Sequence, residues 1–186
     1  LVTQVIDARG NSTNYTYDAR GNLTGVRDSI STAGVAPGHL LAFYPFEGDA
    51  TDASGKGNNG TVNGATLGAG YAGQGDVFNG TSNSVQSPVN INPSAHPTLT
   101  IGAWVKASSN APIRQVLSND NGGFDRSLGI DNRGGGTGWS AFAGSGSVLG
   151  YQPVTTGQWT FVAAVYDQST GSATLYVDNQ VFQKSG

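Results

Sequence analysis

Cysteine and methionine are absent from the 186 residues, and glutamate occurs once, at Glu47. Without cysteine there is no disulfide framework and no thiolate metal site, and that absence by itself selects no compartment. Lysine is confined to Lys56, Lys106 and Lys184, and charged residues make up 11% of the chain, against about 25% in an ordinary globular domain. Surface helices draw heavily on Glu and Lys, so few helices are expected. The formal charge is −3 and no basic run occurs, which removes the electrostatic footprint of a nucleic-acid or anionic-membrane binder. No apolar run approaches the roughly 18 residues of a membrane helix, so membrane insertion is not expected. The start, Leu1-Val2-Thr3-Gln4, carries neither a basic nor an apolar signal region and lacks an initiator Met. The chain therefore reads as a piece excised from a longer protein, with neighbouring domains and a targeting signal elsewhere.

What fills the composition is Gly, with 29 residues, together with Ser, Thr and Asn, the chemistry of turns. Self-similarity appears at the N-terminus, where Asp7-Ala8-Arg9-Gly10-Asn11 recurs as Asp18-Ala19-Arg20-Gly21-Asn22. Each copy is flanked by β-prone residues (2–6, 13–17 and 23–26), which predicts strand-turn-strand units. The wording Thr16-Tyr17-Asp18-Ala19-Arg20-Gly21-Asn22-Leu23-Thr24 resembles the YD or RHS repeat of large bacterial surface and toxin-delivery proteins. That resemblance implies one unit of a β-spiral, which cannot bury an apolar face without neighbours. Residues 1–30 are assigned to this segment, and residues 31–38, small and ending in Pro-Gly, to a linker.

From residue 40 onward short apolar segments alternate with Gly/Asn/Ser clusters. Strands are expected at 40–46, 61–67, 76–78, 84–86, 98–106, 114–118, 127–130, 138–143, 147–151 and 158–166. A closing hairpin, 173–177 with 180–183, should turn on Asp178-Asn179, both of which tolerate positive φ. This spacing predicts an all-β fold, an antiparallel β-sandwich or jelly roll.

Four blocks then resemble laminin-G-like, concanavalin-A-like jelly-roll domains. They are the stretch from Leu41-Ala42-Phe43-Tyr44-Pro45-Phe46-Glu47 to Asn58-Asn59-Gly60, Val77-Phe78-Asn79-Gly80, Thr98-Leu99-Thr100-Ile101-Gly102-Ala103-Trp104-Val105-Lys106, and Gly157-Gln158-Trp159 through Tyr166-Asp167 to Tyr176-Val177-Asp178. The resemblance covers about residues 39–186, and relatives continue past the final hairpin with further strands. It implies a non-catalytic extracellular or cell-surface binding and adhesion module for carbohydrate or for host and matrix ligands. A structural spacer is the alternative, and a β-glucan hydrolase is a third reading. Against the hydrolase, a retaining glycosidase needs two carboxyl groups about 5–5.5 Å apart, and the second Glu of the β-glucanase motif is missing.

Two sets of side chains are singled out. Glu47, Asp49, Asp52 and Asn58 lie in an oxygen-rich, Gly-rich loop of the kind that suits Ca²⁺, and many laminin-G-like relatives bind that ion. The alternative is that these side chains hold the loop through Asx-turns and backbone hydrogen bonds. Trp139, with Arg126, Asp125 and Tyr151 in adjoining segments, could stack on a sugar ring and bond its hydroxyls, or else cover a sheet. Trp104 and Trp159 sit inside apolar strand runs and are expected in the core. His39 and His96 have no partner at metal-ligand or triad spacing and are expected in turns or on the surface.

Overall fold

The computed structural model describes residues 3–6, 12–21, 23–29, 39–119, 126–144 and 147–185. Among them strands are the only regular elements, and no helix is long and apolar enough to cross a membrane. The chain divides into two compact units, Leu1–Tyr44 with Thr51–Asn58, and Pro45–Ala50 with Asn59–Gly186.

In the first unit β1 (Gln4–Ile6), β2 (Ser12–Tyr17) and β3 (Leu23–Ser29) form an antiparallel sheet in chain order. The reversal between β2 and β3 is the second copy of the repeated motif. Asp18 Oδ1 accepts the Arg20 N–H at 2.8 Å, the Asp18 carbonyl accepts the Gly21 N–H at 3.0 Å, and Gly21 has φ +85°. An Asx-turn thus closes on a residue free to adopt left-handed backbone. The first copy, at residues 7–11, and the linker expected at 31–38 lie outside the described residues.

The stretch 40–46, expected as a strand, is irregular. Pro45 has no N–H to give a ladder and Phe46 has φ +56°, so the chain cannot run on in extended form. Its backbone groups are satisfied locally instead. Phe43 N–H donates to Asp52 Oδ1 at 3.0 Å, Ala53 N–H to the Phe43 carbonyl at 2.8 Å, and Asn58 Nδ2 to the Leu41 carbonyl at 2.8 Å. These bonds draw residues 41–43 and 52–58 into the first unit.

The second unit is an antiparallel β-sandwich. Two short ribbons come first: β4 (Thr61–Asn63) pairs with β7 (Ser84–Gln86), and β5 (Thr66–Ala69) with β6 (Gln74–Val77). The single strand expected at 61–67 is split between them because Gly64, at φ +72°, turns the chain after Asn63. Then follow β8 (Thr98–Lys106), β9 (Arg114–Ser118), β10 (Ser127–Asp131), β11 (Gly138–Phe142), β12 (Val148–Gln152), β13 (Trp159–Asp167), β14 (Ser172–Val177) and β15 (Gln180–Ser185).

One sheet has the order β12-β11-β10-β9 and the other β15-β14-β13-β8. Their facing sides enclose Leu128, Ile130, Trp139, Ala141 and Val148 from the first sheet. From the second come Val162, Ala164, Tyr166, Ala173, Leu175 and Val177. Burial of each large apolar side chain contributes about 1.5–3 kcal/mol. The β14–β15 reversal is the two-residue Asp178-Asn179 turn, with Val177 opposite Gln180 and Asp178 at φ +49°. Its Asp178 carboxylate accepts the Phe161 N–H at 2.8 Å, tying the hairpin tip to β13.

Candidate ligand-binding face

The alternation of β8 decides which side chains leave the core. Leu99 is buried and Ile101 and Val105 pack on the core, so Thr98, Thr100, Gly102, Trp104 and Lys106 point away from it. On β13 the same rule sends Thr160, Val162, Ala164 and Tyr166 inward and leaves Phe161 exposed and Trp159 half-buried on the opposite phase. Antiparallel register then sets Trp104 opposite Phe161 and Lys106 opposite Trp159. Such directly opposed residues have Cβ atoms about 4.5–5.5 Å apart, close enough for rings to touch.

The outcome is an aromatic cluster on the outer face of the second sheet. Trp104 is 43% exposed, and its ring meets that of Phe161 at 5.4 Å between centroids with a 56° tilt. Tyr71, from the β5–β6 turn, stacks on Trp104 at 3.6 Å and 4°, and stands edge-on to Trp159 at 6.3 Å and 77°. Lys106 Nζ lies 5.2 Å from the Trp159 ring centroid, a cation over an aromatic face. Flat apolar rings with a cationic donor beside them can hold a ligand that has one apolar face and a rim of hydrogen-bonding groups.

Trp104 and Trp159, expected in the core, lie on the outer face instead, while Trp139 takes the second of its two readings and covers a sheet. Trp104 is not a core residue, because it shares its strand phase with Thr100 and Lys106 and not with Ile101 and Val105. Trp139 is 2% exposed and opposite Ile130 in the register of β10 and β11, so it covers the inner sheet face and does not stack on a ligand. Arg126, also placed at a ligand site by the sequence, is 1% exposed. It donates from Nη1 to the Ile91 carbonyl at 3.3 Å and from Nη2 to the Pro97 carbonyl at 3.2 Å, with Tyr166 beneath it at 5.2 Å. Burial pushes the Arg126 guanidinium below its usual pKa, partly offset by Tyr166, and pushes the Tyr166 phenol up. Of the other two, Tyr151 is exposed on β12 beside Phe182 at 4.5 Å, and Asp125 lies outside the described residues. Tyr71 and Phe161 carried no local signal. Only the phase of β8, polar and small at Thr98, Thr100, Gly102 and Lys106, would have turned Trp104 outward.

The oxygen-rich loop is organised by its own backbone. Asp52, 7% exposed, accepts from Phe43 N–H and Ser54 N–H at Oδ1, and from the Ser54 hydroxyl and Asn58 N–H at Oδ2, at 2.8–3.0 Å. Burial alone would raise its pKa, but these four bonds outweigh that and hold the carboxyl well below the usual range. Asn58 bonds the Leu41 carbonyl, and Glu47 accepts the Gln74 N–H at 3.2 Å. Asp49 is exposed and has an interaction of its own. Among the described residues no group of three or more His, Cys, Asp or Glu side chains is placed to hold a metal ion. The Asx-turn alternative therefore describes what Asp52 does.

A depressed folded pKa contributes stability that is present above the unfolded value, about 3.9 for Asp, and lost as pH falls below it. Amide exchange at Ser54 and Asn58 tests this. Protection should weaken in acid below about pH 4 in the wild type, and should already be reduced at neutral pH in Asp52→Asn. Calcium and excess chelator should give the same protection, and a calcium-dependent gain would instead make the loop an ion site.

A family model described as the concanavalin A-like lectin/glucanases superfamily matches residues 79–185, and a model of the RHS repeat matches residues 1–32. The first match spans more than half of the chain, and the chain belongs to the concanavalin A-like lectin/glucanases superfamily, with an RHS-repeat segment ahead of the sandwich. No curated protein and no solved structure matches it.

Proposed function

We propose that the chain is a non-catalytic binding module of an extracellular or surface-displayed protein, and that it holds glycan on the outer face built from Trp104, Phe161, Trp159 and Lys106. The observation that carries this reading is the outward Trp104, opposite Phe161 in register and 43% exposed although it is the largest kind of apolar side chain. Exposed clustered aromatics mark interaction surfaces more often than scattered ones do. β-Linked hexopyranoses with equatorial hydroxyls present a flat C–H face that complements a ring, while Lys106 can donate to hydroxyl or carboxylate oxygens at the rim.

Membership of a superfamily named for lectins and glucanases supports sugar over other ligands. Binding is favoured over hydrolysis because the only glutamate, Glu47, is engaged with Gln74 N–H and Asp52 with four donors, whereas a glycosidase flanks one bond with two carboxyl groups. A glycan array probed with the purified chain tests the reading. Signal on β-linked glucans or related glycans, lost in Trp104→Ala, is the expected result. A blank array with folded protein would leave a spacer within a larger surface protein as the better account.

A further inference from the structure

Tyr71 stands in the turn between β5 and β6, a turn held from two sides. Gly70 N–H donates to the Gly73 carbonyl at 3.0 Å, and Gln74 N–H donates to the Glu47 carboxylate, 3.2 Å from each oxygen. Gly73 has φ +66°, and a Cβ there would collide with that carboxylate, so glycine is what lets Glu47 close on the turn. With the backbone braced, the soft coordinate left is rotation of the Tyr71 side chain.

The ring rests on Trp104 at 3.6 Å and 4°, the separation of atoms in van der Waals contact, which is about 3.5–4.0 Å between carbons. No layer fits between them, so Tyr71 occupies the place a sugar ring would take. Its geometry is close to a face-to-face sandwich, the arrangement aromatic quadrupoles favour least. A sugar presents C–H hydrogens to the same negative ring face and meets no such repulsion. Tyr71 is itself 55% exposed, so water is available on its outer side when it swings away.

Resting on the glycan reading above, we infer that Tyr71 is a displaceable lid on Trp104 that sets which glycans bind, and that Glu47 is the positioning residue that holds the lid over the ring. A glycan binds only by out-competing Tyr71, and its apparent affinity is reduced by the fraction of molecules in which the lid is open.

The test is calorimetric titration of cellohexaose and laminarihexaose into wild type, Tyr71→Ala, Glu47→Ala and Glu47→Gln. Alongside it, acrylamide quenching is measured in a Trp159→Phe background, where the quenchable tryptophan is Trp104 because Trp139 is buried. Tyr71→Ala should bind roughly two- to tenfold tighter, the equivalent of one aromatic stack, and should quench more readily. Glu47→Ala should move the same way by less, and Glu47→Gln, which keeps an acceptor for Gln74 N–H, should stay near wild type. Binding by wild type with equal or weaker binding by Tyr71→Ala overturns the lid alone and makes Tyr71 part of the platform. No binding by any of the four overturns the glycan reading, and the lid with it.

Discussion

Replacing Trp139 by alanine should destabilise the sandwich by about 3–5 kcal/mol, the usual cost of removing a fully buried large aromatic. Trp139 is 2% exposed, in a cluster with Ile130 and Ala141 on its own sheet and Val162 and Leu175 on the other. Its removal leaves a cavity that two sheets fixed by their ladders cannot collapse to fill. In a domain of this size the loss corresponds to a melting-temperature fall of roughly 10 °C or more. Trp104→Ala removes only the stack on Tyr71 and the tilted contact with Phe161, for about 1–2 kcal/mol. Thermal unfolding of the two variants side by side separates them. Equal losses would mean that Trp104 is as much a core residue as Trp139 and that the outer face has been misassigned.

The second large effect is expected at Arg126, a guanidinium buried just ahead of β10. It bridges the carbonyls of Ile91 and Pro97 and lies over Tyr166, whose hydroxyl in turn donates to the Ser127 carbonyl at 2.8 Å. Among the described residues no carboxylate pairs with it and its Nε has no hydrogen-bond partner. Two opposing terms act here: burying a charge costs several kcal/mol, while each charge-assisted bond to the part-buried Ile91 carbonyl and to the Pro97 carbonyl, which also accepts the Gln168 N–H at 2.9 Å, contributes about 1.5–3 kcal/mol. Arg126→Ala loses the bonds and the packing of the long stem, and should cost about 2–4 kcal/mol. Arg126→Lys should also destabilise, since a point charge cannot serve both carbonyls as a fork does. Arg126→Met keeps the stem and removes the charge, and should be the mildest of the three. Melting temperatures of all three variants within about 2 °C of wild type would show that the bridge contributes nothing.

Much of the sandwich was legible because its strands are short runs punctuated by Gly, Pro and Asn. The bounds read for β7, β8 and β9 coincide with those observed, and the Asp178-Asn179 hairpin turns where its φ tolerance said it would. The run 40–46 misled because apolar content was read as strand, while Pro45, the left-handed Phe46 and the side chains of Asp52 and Asn58 decide its path. The same bias placed Trp104 in the core, since a tryptophan in an apolar run looks buried until the strand phase is followed residue by residue. Tyr71 on Trp104 and Glu47 on Gln74 join residues far apart in sequence, and nothing local marks such contacts. Asp52 stood out as an oxygen donor in a Gly-rich loop, and its oxygen atoms accept hydrogen bonds from the loop around it.

Glycan binding on the outward Trp104 face is tested by titration of cellohexaose and laminarihexaose into wild type and Trp104→Ala under one set of conditions. Saturable binding of at least one hexasaccharide by the wild type is expected. Trp104→Ala, while remaining folded, should bind at least tenfold more weakly, equivalent to about 1.4 kcal/mol. The same affinity in both proteins, or no binding of either sugar by the wild type or by Tyr71→Ala, would contradict glycan binding on this face.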